Sequence, residues 1–587
     1  MLSDKKTKEI LEKNNLLGPE DIAKRASEAE KKNIQLDDYL LQAGVITEDI
    51  LYNAVAITHA VPFINLKDQA IDPDVLFLIP EPIAATYHII AFAKTSAEIS
   101  VAMIDPDDIQ TIEFIKRKVN VPVKVHVATP SAIADAAKAY HKSLENELSG
   151  INKKTNIGVG TDLPQKGGAK AGPDLENLAK DVPVIRVVDT LLEYAIFEGA
   201  SDIHIEPAEK ALLIRFRIDG ILREVMSLPR ALSDGIVARI KILSNLKLDE
   251  HRLPQDGRFK IEAKDYKISF RVSIIPVFDG EKVVMRLLDE GKKMLDLPAL
   301  GLNTQALASI KQNIAKPHGM ILVTGPTGSG KTTTLYTMMH LLNTPKVNIA
   351  TIEDPIEYRM PRINQSQVAP KIEFTFARGL RALLRQDPDI IMVGEIRDAE
   401  TAGIAINAAM TGHLVLSTLH TNDAPTTLPR LVDMGIEPFL VATTVNVILA
   451  QRLLRKLCKN CLTSYNLAPE ELQRLEKDHG LNLQSIGKTF ARAEGSTAAS
   501  ADLGSVLFFK GKGCNKCGNQ GYKGRVGIYE ALEMTEEMKH LVSSGATAEA
   551  IRDAARKAGM ITILEDGFLK AKQGITSIEE VLRVTKE

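Results

Sequence analysis

Cysteine is scarce here, with four in 587 residues, which excludes a disulfide-stapled secreted scaffold. Long apolar runs are missing too. No stretch approaches the ~18 apolar residues that cross a bilayer. The longest candidate, Phe439 to Ala450, is interrupted by Thr443, Thr444 and Asn446. The opening residues MLSDKKTKEI lack the apolar centre of a signal peptide. These absences predict a cytoplasmic protein that meets a membrane only through partners. Excess charge is also absent. Net charge is −2, and no basic stripe interleaved with aromatics appears, which argues against nucleic acid as a direct partner. What remains is an ordinary globular composition, 44% hydrophobic and 25% charged. The length predicts several domains, since one core rarely exceeds ~250–300 residues.

What is present begins with GPTGSGKT, Gly325 to Thr332. Ile321 to Thr324 before it reads as the end of a buried strand, and Thr333 to Leu342 after it as a helix. Strand, glycine loop, lysine, hydroxyl and helix form the context that makes this motif a phosphate site. Gly325, Gly328 and Gly330 permit a tight turn that aims backbone N–H groups at phosphate oxygens. Pro326, Thr327, Ser329 and Thr333 complete the cradle, and the helix N-terminus adds positive potential. Lys331 is expected on the β- and γ-phosphates of ATP, and Thr332 on Mg²⁺.

Two acidic segments follow. TIEDPIE, Thr351 to Glu357, ends a strand at Val347 to Ile352 and offers Glu353, Asp354 and Glu357 to a metal or an attacking water. Ile390 to Val393 is a second buried strand, ending in Gly394–Glu395. Gly394 stands where many phosphate-loop proteins carry a metal-binding Asp, so Glu395 inherits metal work. A third strand, His413 to Ser417, runs into TLHTN, Thr418 to Asn422. It is expected to bring His413 and His420 to the same sheet edge as γ-phosphate sensors or interface groups. The cysteines form two C-x-x-C pairs, Cys458/Cys461 and Cys514/Cys517, suited to one structural Zn²⁺.

Along the chain, Val45 to Ala56 reads as an amphipathic helix with Ile46, Ile50, Leu51 and Val55 on one side. Ile99 to Ile104 reads as a strand, and Pro106 to Asp108 as a helix start. Ile151 to Pro173, rich in Gly, Lys and Thr, reads as a linker. Ala211 to Ile218 and Tyr266 to Val272 read as strands, and Ser233 to Leu248 as a long helix. Thr547 and Thr576 are expected helix caps.

Together these segments resemble the secretion ATPase superfamily, most of all the assembly ATPases of type IV pili and their type II secretion relatives. The resemblance rests on SDIHIEP (Ser201 to Pro207), RFRIDG (Arg215 to Gly220), LPQDGR (Leu253 to Arg258), the phosphate loop, TIEDPIE, the Gly–Glu strand end, TGHLVLSTLHTN, the four cysteines and EDGFLKAKQGITSIEEVLR (Glu565 to Arg583). It implies an α/β multidomain protein. An N-terminal secretion-ATPase domain would occupy 1–145, with a flexible linker at 146–178. An α+β, PAS-like domain at 179–298 would donate arginines, with Arg217 and Arg239 the first candidates and Arg223 and Arg258 behind them. A RecA-like core would occupy 299–450, a tetracysteine zinc lobe 451–535, and a helical region 536–587.

By the same resemblance, Glu357 would be the general base and Glu395 would support Mg²⁺ and the water. A homo-hexamer would drive an inner-membrane platform protein that feeds pilins into a filament. Retraction motors of the superfamily lack the long N-terminal region and the cysteine pairs, so both features imply assembly. The alternatives are a type II secretion or DNA-uptake motor and a nucleotide-gated scaffold. Some N-terminal domains of this kind bind cyclic di-GMP through a motif beginning Arg-Leu-Gly and ending in Gln. Here Gln35, Asp37 and Thr58 replace Arg, Gly and Gln, which predicts weak or no binding.

Overall fold

The structure, a computed structural model, describes residues 4–137, 182–493 and 502–586, apart from 32–33, 67–68, 70, 80–82, 85–86, 120, 263–266, 292–293, 480 and 515–516. The expected linker at 146–178 lies outside the described residues. The chain forms two compact units, Met1–Gly291 with Cys514–Asn519, and Lys292–Gly513 with Gln520–Glu587. No helix among the described residues is long and apolar enough to cross a membrane.

In the first unit, β1 (Ile89–Lys94), β2 (Ile99–Met103) and β3 (Val123–Val127) form one sheet, with β1–β2 antiparallel and β2–β3 parallel. The helix Glu48–Thr58 starts later than the apolar periodicity suggests, because the Thr47 hydroxyl caps it by accepting the Ile50 N–H. Leu51, Tyr52 and Val55 are buried, but Ile50 is 50% exposed. Ile50 therefore does not share their face; Leu51 and Val55, four apart, set the buried stripe.

A second sheet holds β4 (Asp202–Pro207), β5 (Ala211–Ile218), β6 (Ile221–Pro229), β7 (Gln255–Glu262), β8 (Lys267–Val277) and β9 (Gly280–Asp289) in the order β6-β5-β4-β9-β8-β7. Its pairings are all antiparallel. Leu212, Ile214 and Phe216 alternate inward along β5, leaving Arg215 and Arg217 on the other face. The helices Val182–Phe197 and Ser233–Leu243 share the core. The second ends before the expected Leu248, capped by Ser244 and turned off at Asn245, which has positive φ.

In the second unit, β10 (Gly319–Thr324), β11 (Ile349–Glu353), β12 (Ile363–Gln367), β13 (Ile390–Val393), β14 (Leu414–Leu419), β15 (Val445–Leu457) and β18 (Tyr522–Glu533) form a sheet in the order β12-β11-β13-β14-β10-β15-β18. Only the β15–β18 pairing is antiparallel. A small pair, β16 (Leu462–Asn466) and β17 (Leu507–Gly511), stands apart. The chain leaves β10 toward β11 on one side and returns from β14 to β15 on the other. That reversal puts a crevice at the carboxyl end of β10. The expected division at 450/451 falls inside β15, so β15 and β18 both belong to the main sheet. Near the C-terminus, Thr547 caps Ala548–Lys557 as expected. Ser577, not Thr576, caps Ile578–Thr585; Thr576 instead donates to the Arg455 carbonyl at 2.9 Å.

Candidate active site

The six residues of β10 are all buried, and the glycine loop follows at once. Gly325 has φ 144°, and a Cβ there would stand 2.4 Å from the Gln451 carbonyl of β15. Only glycine lets the loop lie this close to the sheet. Gly330, at φ 91°, starts the helix Lys331–Leu342. Lys331 Nζ donates to the carbonyls of Gly325 at 2.8 Å and Pro326 at 3.2 Å. Burial lowers its pKa, opposed by the Glu395 carboxylate.

Gln451, which no motif announces, straps the loop to β15. Its amide donates to the Ser329 carbonyl at 2.7 Å, and its carbonyl accepts the Thr334 hydroxyl at 2.7 Å. The residue is 1% exposed, so the pairing is shielded from water. Nothing in the sequence singled it out, since β15 also carries Asn446, Arg452, Arg455 and Lys456.

The acidic segment divides into two roles. Glu353 is the last residue of β11 and is buried. It accepts from the Tyr336 hydroxyl, from Thr351 Oγ1 at 2.6 Å and from Gln365 Nε2 at 3.1 Å. Burial raises its pKa against those hydrogen bonds. Its oxygens serve this network, so Glu353 is not the metal-facing group the sequence offered. Glu357 lies beyond, half-buried, with its N–H 3.4 Å from the Tyr336 oxygen. Tyr336 thus ties the phosphate-loop helix to the segment carrying Glu357. Burial, then Glu353, pushes the Tyr336 hydroxyl's pKa upward, and burial pushes neighbouring Tyr358 up to about 12.

Gly394 abuts β11, where a Cβ would stand 3.3 Å from Glu353 Cα and from the Ile352 carbonyl. Any side chain there presses on the neighbouring strand. The carboxylate at this edge is Glu395, with Oε2 2.7 Å from Arg397 Nε and 3.3 Å from His420 Nε2. Lys331, Glu395 and His420 therefore converge at the carboxyl edge.

His413 does not join them. It precedes β14 whereas His420 follows it, and β14 runs parallel to β10. The six residues of β14 separate them by roughly 20 Å. His413 instead accepts the Gly319 N–H with its backbone carbonyl at 3.2 Å, and its ring Nδ1 lies 3.0 Å from the Ala408 carbonyl. The expectation of one shared edge is corrected: a parallel strand delivers its two ends to opposite edges.

Arg217 and Arg239 lie in the first unit. Arg217 Nη1 donates to the Gly220 carbonyl at 3.2 Å, with Nε 3.5 Å from Asp202. Arg239 lies on Ser233–Leu243; burial raises the pKa of nearby Asp189, only partly opposed by the Arg239 charge. Arg223 is on β6 and Arg258 on β7. The four cysteine sulfurs all lie within 4.8 Å of one another, with Cys514 and Cys517 Sγ 3.7 Å apart. Four thiolates at ~2.3 Å from a tetrahedral Zn²⁺ sit at about this spacing.

Two families match the chain: Type II/IV secretion system protein over residues 177–583, and the MshEN domain over 59–147. The chain is 41% identical over 577 residues to the type IV pilus assembly ATPase PilB of Myxococcus xanthus, covering 98% of each. It is 38% identical over 578 residues to the PilB of Pseudomonas aeruginosa, covering 98% of this chain and 97% of that one. It is 45% identical over 438 residues to the type II secretion system ATPase E of Vibrio cholerae, covering 75% of this chain and 81% of that one. Among solved structures, it is similar to the pilus retraction motor PilT with bound ADP, at 27% identity over 68% of this chain and 96% of that chain, with a TM-score of 0.45.

Proposed function

We propose a function from one premise: this chain belongs to the Type II/IV secretion system protein family. It is an ATPase, and its work is to drive type IV pilus assembly. The observation that carries this reading is end-to-end similarity, with the pilus assembly ATPase of Myxococcus xanthus matched over 98% of both chains. The higher identity to a type II secretion ATPase keeps that sister machine as the second reading.

The residues present fit ATP. Gly325 to Thr333 supply a loop of backbone N–H groups at a helix N-terminus, with a half-buried lysine inside it. Thr332 and Glu395 would hold Mg²⁺, which supplies positive charge to the phosphates. Glu357 takes the proton of the attacking water, held in place by Tyr336. His420, beside Glu395, reads the γ-phosphate; His413 is too far along its strand to share that work. Arg217 and Arg239, on a domain we read as PAS-like, are the arginines this reading offers to a nucleotide. The four cysteines fit one structural zinc.

In this reading the protein works as a homo-hexamer at the cytoplasmic face of the inner membrane, against a platform protein. ATPase activity measured with and without that platform's cytoplasmic domain tests the assignment; stimulation supports it, and its absence points to another machine. The MshEN match makes cyclic di-GMP the ligand to test on the first domain. We read its binding as weak. Gln35 replaces a guanidinium, Asp37 is 1% exposed, and the Thr58 hydroxyl already donates to Ala54 and accepts from Asn14. Low-micromolar affinity in a titration contradicts this.

A further inference from the structure

The TLHTN loop carries His420, and its neighbours explain how it is held. Across the sheet, Thr324 of β10 pairs with Ala450 of β15, and Ala450 pairs with Glu530 of β18. These three residues form one row at the level where β10 meets the phosphate loop. Thr324 holds the near end of the loop. Its hydroxyl oxygen accepts the Thr421 N–H at 2.9 Å and lies 2.6 Å from Thr421 Oγ1. At the far end of the row, Glu530 Oε1 accepts the Ala424 N–H at 2.9 Å. The other oxygen, Oε2, accepts the Ile563 N–H at 3.3 Å, at the start of the helix Ile563–Lys572.

Glu530 is 4% exposed. A carboxylate is expensive to bury, and an apolar residue would serve a strand that only packs. No motif assigns Glu530 a task. Its two oxygens reach two segments far apart in sequence, one carrying His420 and one beginning a C-terminal helix. A second tie runs in parallel, since Asp423, between His420 and Ala424, accepts from Arg552 of the helix Ala548–Lys557 at 2.6 Å. A cavity of 410 Å³ beside this junction is lined by Asn422, Asp423, Arg452, Glu530 and Arg552 among others.

We propose that Glu530 is a positioning residue for ATP hydrolysis, fixing the loop that carries His420 and coupling it to the helices of residues 548–572. It touches no substrate and acts through the loop. The proposal rests on the ATPase reading above and on the placement of His420 beside Glu395. It predicts that disturbing the junction slows turnover while nucleotide binding, which depends on the glycine loop, is kept.

The test is steady-state ATP hydrolysis by the full chain carrying Glu530→Gln. The amide keeps one acceptor and turns an NH₂ group toward the other backbone N–H. The expected result is a fall in kcat of about tenfold with KM for ATP within about twofold of wild type. Arg552→Ala, at a partly exposed position, loosens the same loop through Asp423 and should lower kcat in the same sense. It decides the matter alone if Glu530→Gln does not fold. Unchanged kcat in the folded variants overturns the proposal, as does a parallel loss in KM. Lys331→Ala is assayed alongside. If that variant turns over ATP at the wild-type rate, the ATPase reading itself fails, and the two failures are distinguished.

Discussion

Gln451→Leu removes the strap beneath the phosphate loop while keeping side-chain volume similar. The wild-type amide makes two hydrogen bonds at 2.7 Å, to the Ser329 carbonyl and from the Thr334 hydroxyl, at a position 1% exposed. Thr334 can turn its hydroxyl toward the helix carbonyl four residues back, so its loss is small. The Ser329 carbonyl has no such escape. Losing a buried hydrogen bond costs about 1 kcal/mol, and an unsatisfied buried partner adds about 1–3 kcal/mol. A total near 3 kcal/mol against the binding-competent loop corresponds to roughly 100-fold weaker nucleotide binding, at about 1.4 kcal/mol per decade. Equilibrium titration with a fluorescent ATP analogue measures this directly, with thermal melting to confirm the fold. Gln451→Glu is the companion, because it keeps the acceptor for Thr334 and turns an oxygen on Ser329; its binding should be no better. An affinity within about threefold of wild type in a folded Gln451→Leu protein refutes the reasoning.

Tyr336→Phe removes the hydroxyl that donates to Glu353 and receives the Glu357 N–H, so kcat should drop by about tenfold while analogue binding holds; unchanged kcat means Glu357 is positioned otherwise. Glu580 carries a low pKa, about 2 against 4.5, because hydrogen bonds from Arg583 and Arg455 outweigh the burial that would raise it. That depression stabilises the fold by about 3 kcal/mol above pH ~4.5 and is lost as pH falls toward 2. Thermal melts of wild type and Glu580→Gln should therefore differ at neutral pH and converge in acid; a constant gap contradicts the linkage. Elemental analysis of purified protein should find one zinc per chain, and Cys458→Ser or Cys514→Ser should lose it; full metal content in both variants excludes the tetracysteine site.

The phosphate loop was legible because its signals are local. An apolar strand, three glycines, a lysine and a helix follow one another, and β10 and the helix Lys331–Leu342 form where those signals place them. The cysteine pairs were legible for a related reason, since each C-x-x-C turn is complete in itself. Partners far apart in sequence were not. Gln451 meets Ser329 and Glu530 meets Ala424 across more than a hundred residues, and nothing near either position marks the contact. Tyr336 reads as one more buried residue of a helix. His413 was misplaced because a motif that frames a strand says nothing about which sheet edge each end reaches. The 450/451 division missed because β15 and β18 belong to the main sheet although they flank the cysteine-bearing segment in sequence.

The central claim is that this chain hydrolyses ATP at the loop Gly325–Thr332 with Glu357 as base. Phosphate release from Mg·ATP by the purified protein, its Lys331→Ala variant and its Glu357→Gln variant tests that most directly. The account predicts steady release by wild type, loss of both binding and release in Lys331→Ala, and retained binding without release in Glu357→Gln. Wild-type rates in both variants would contradict it.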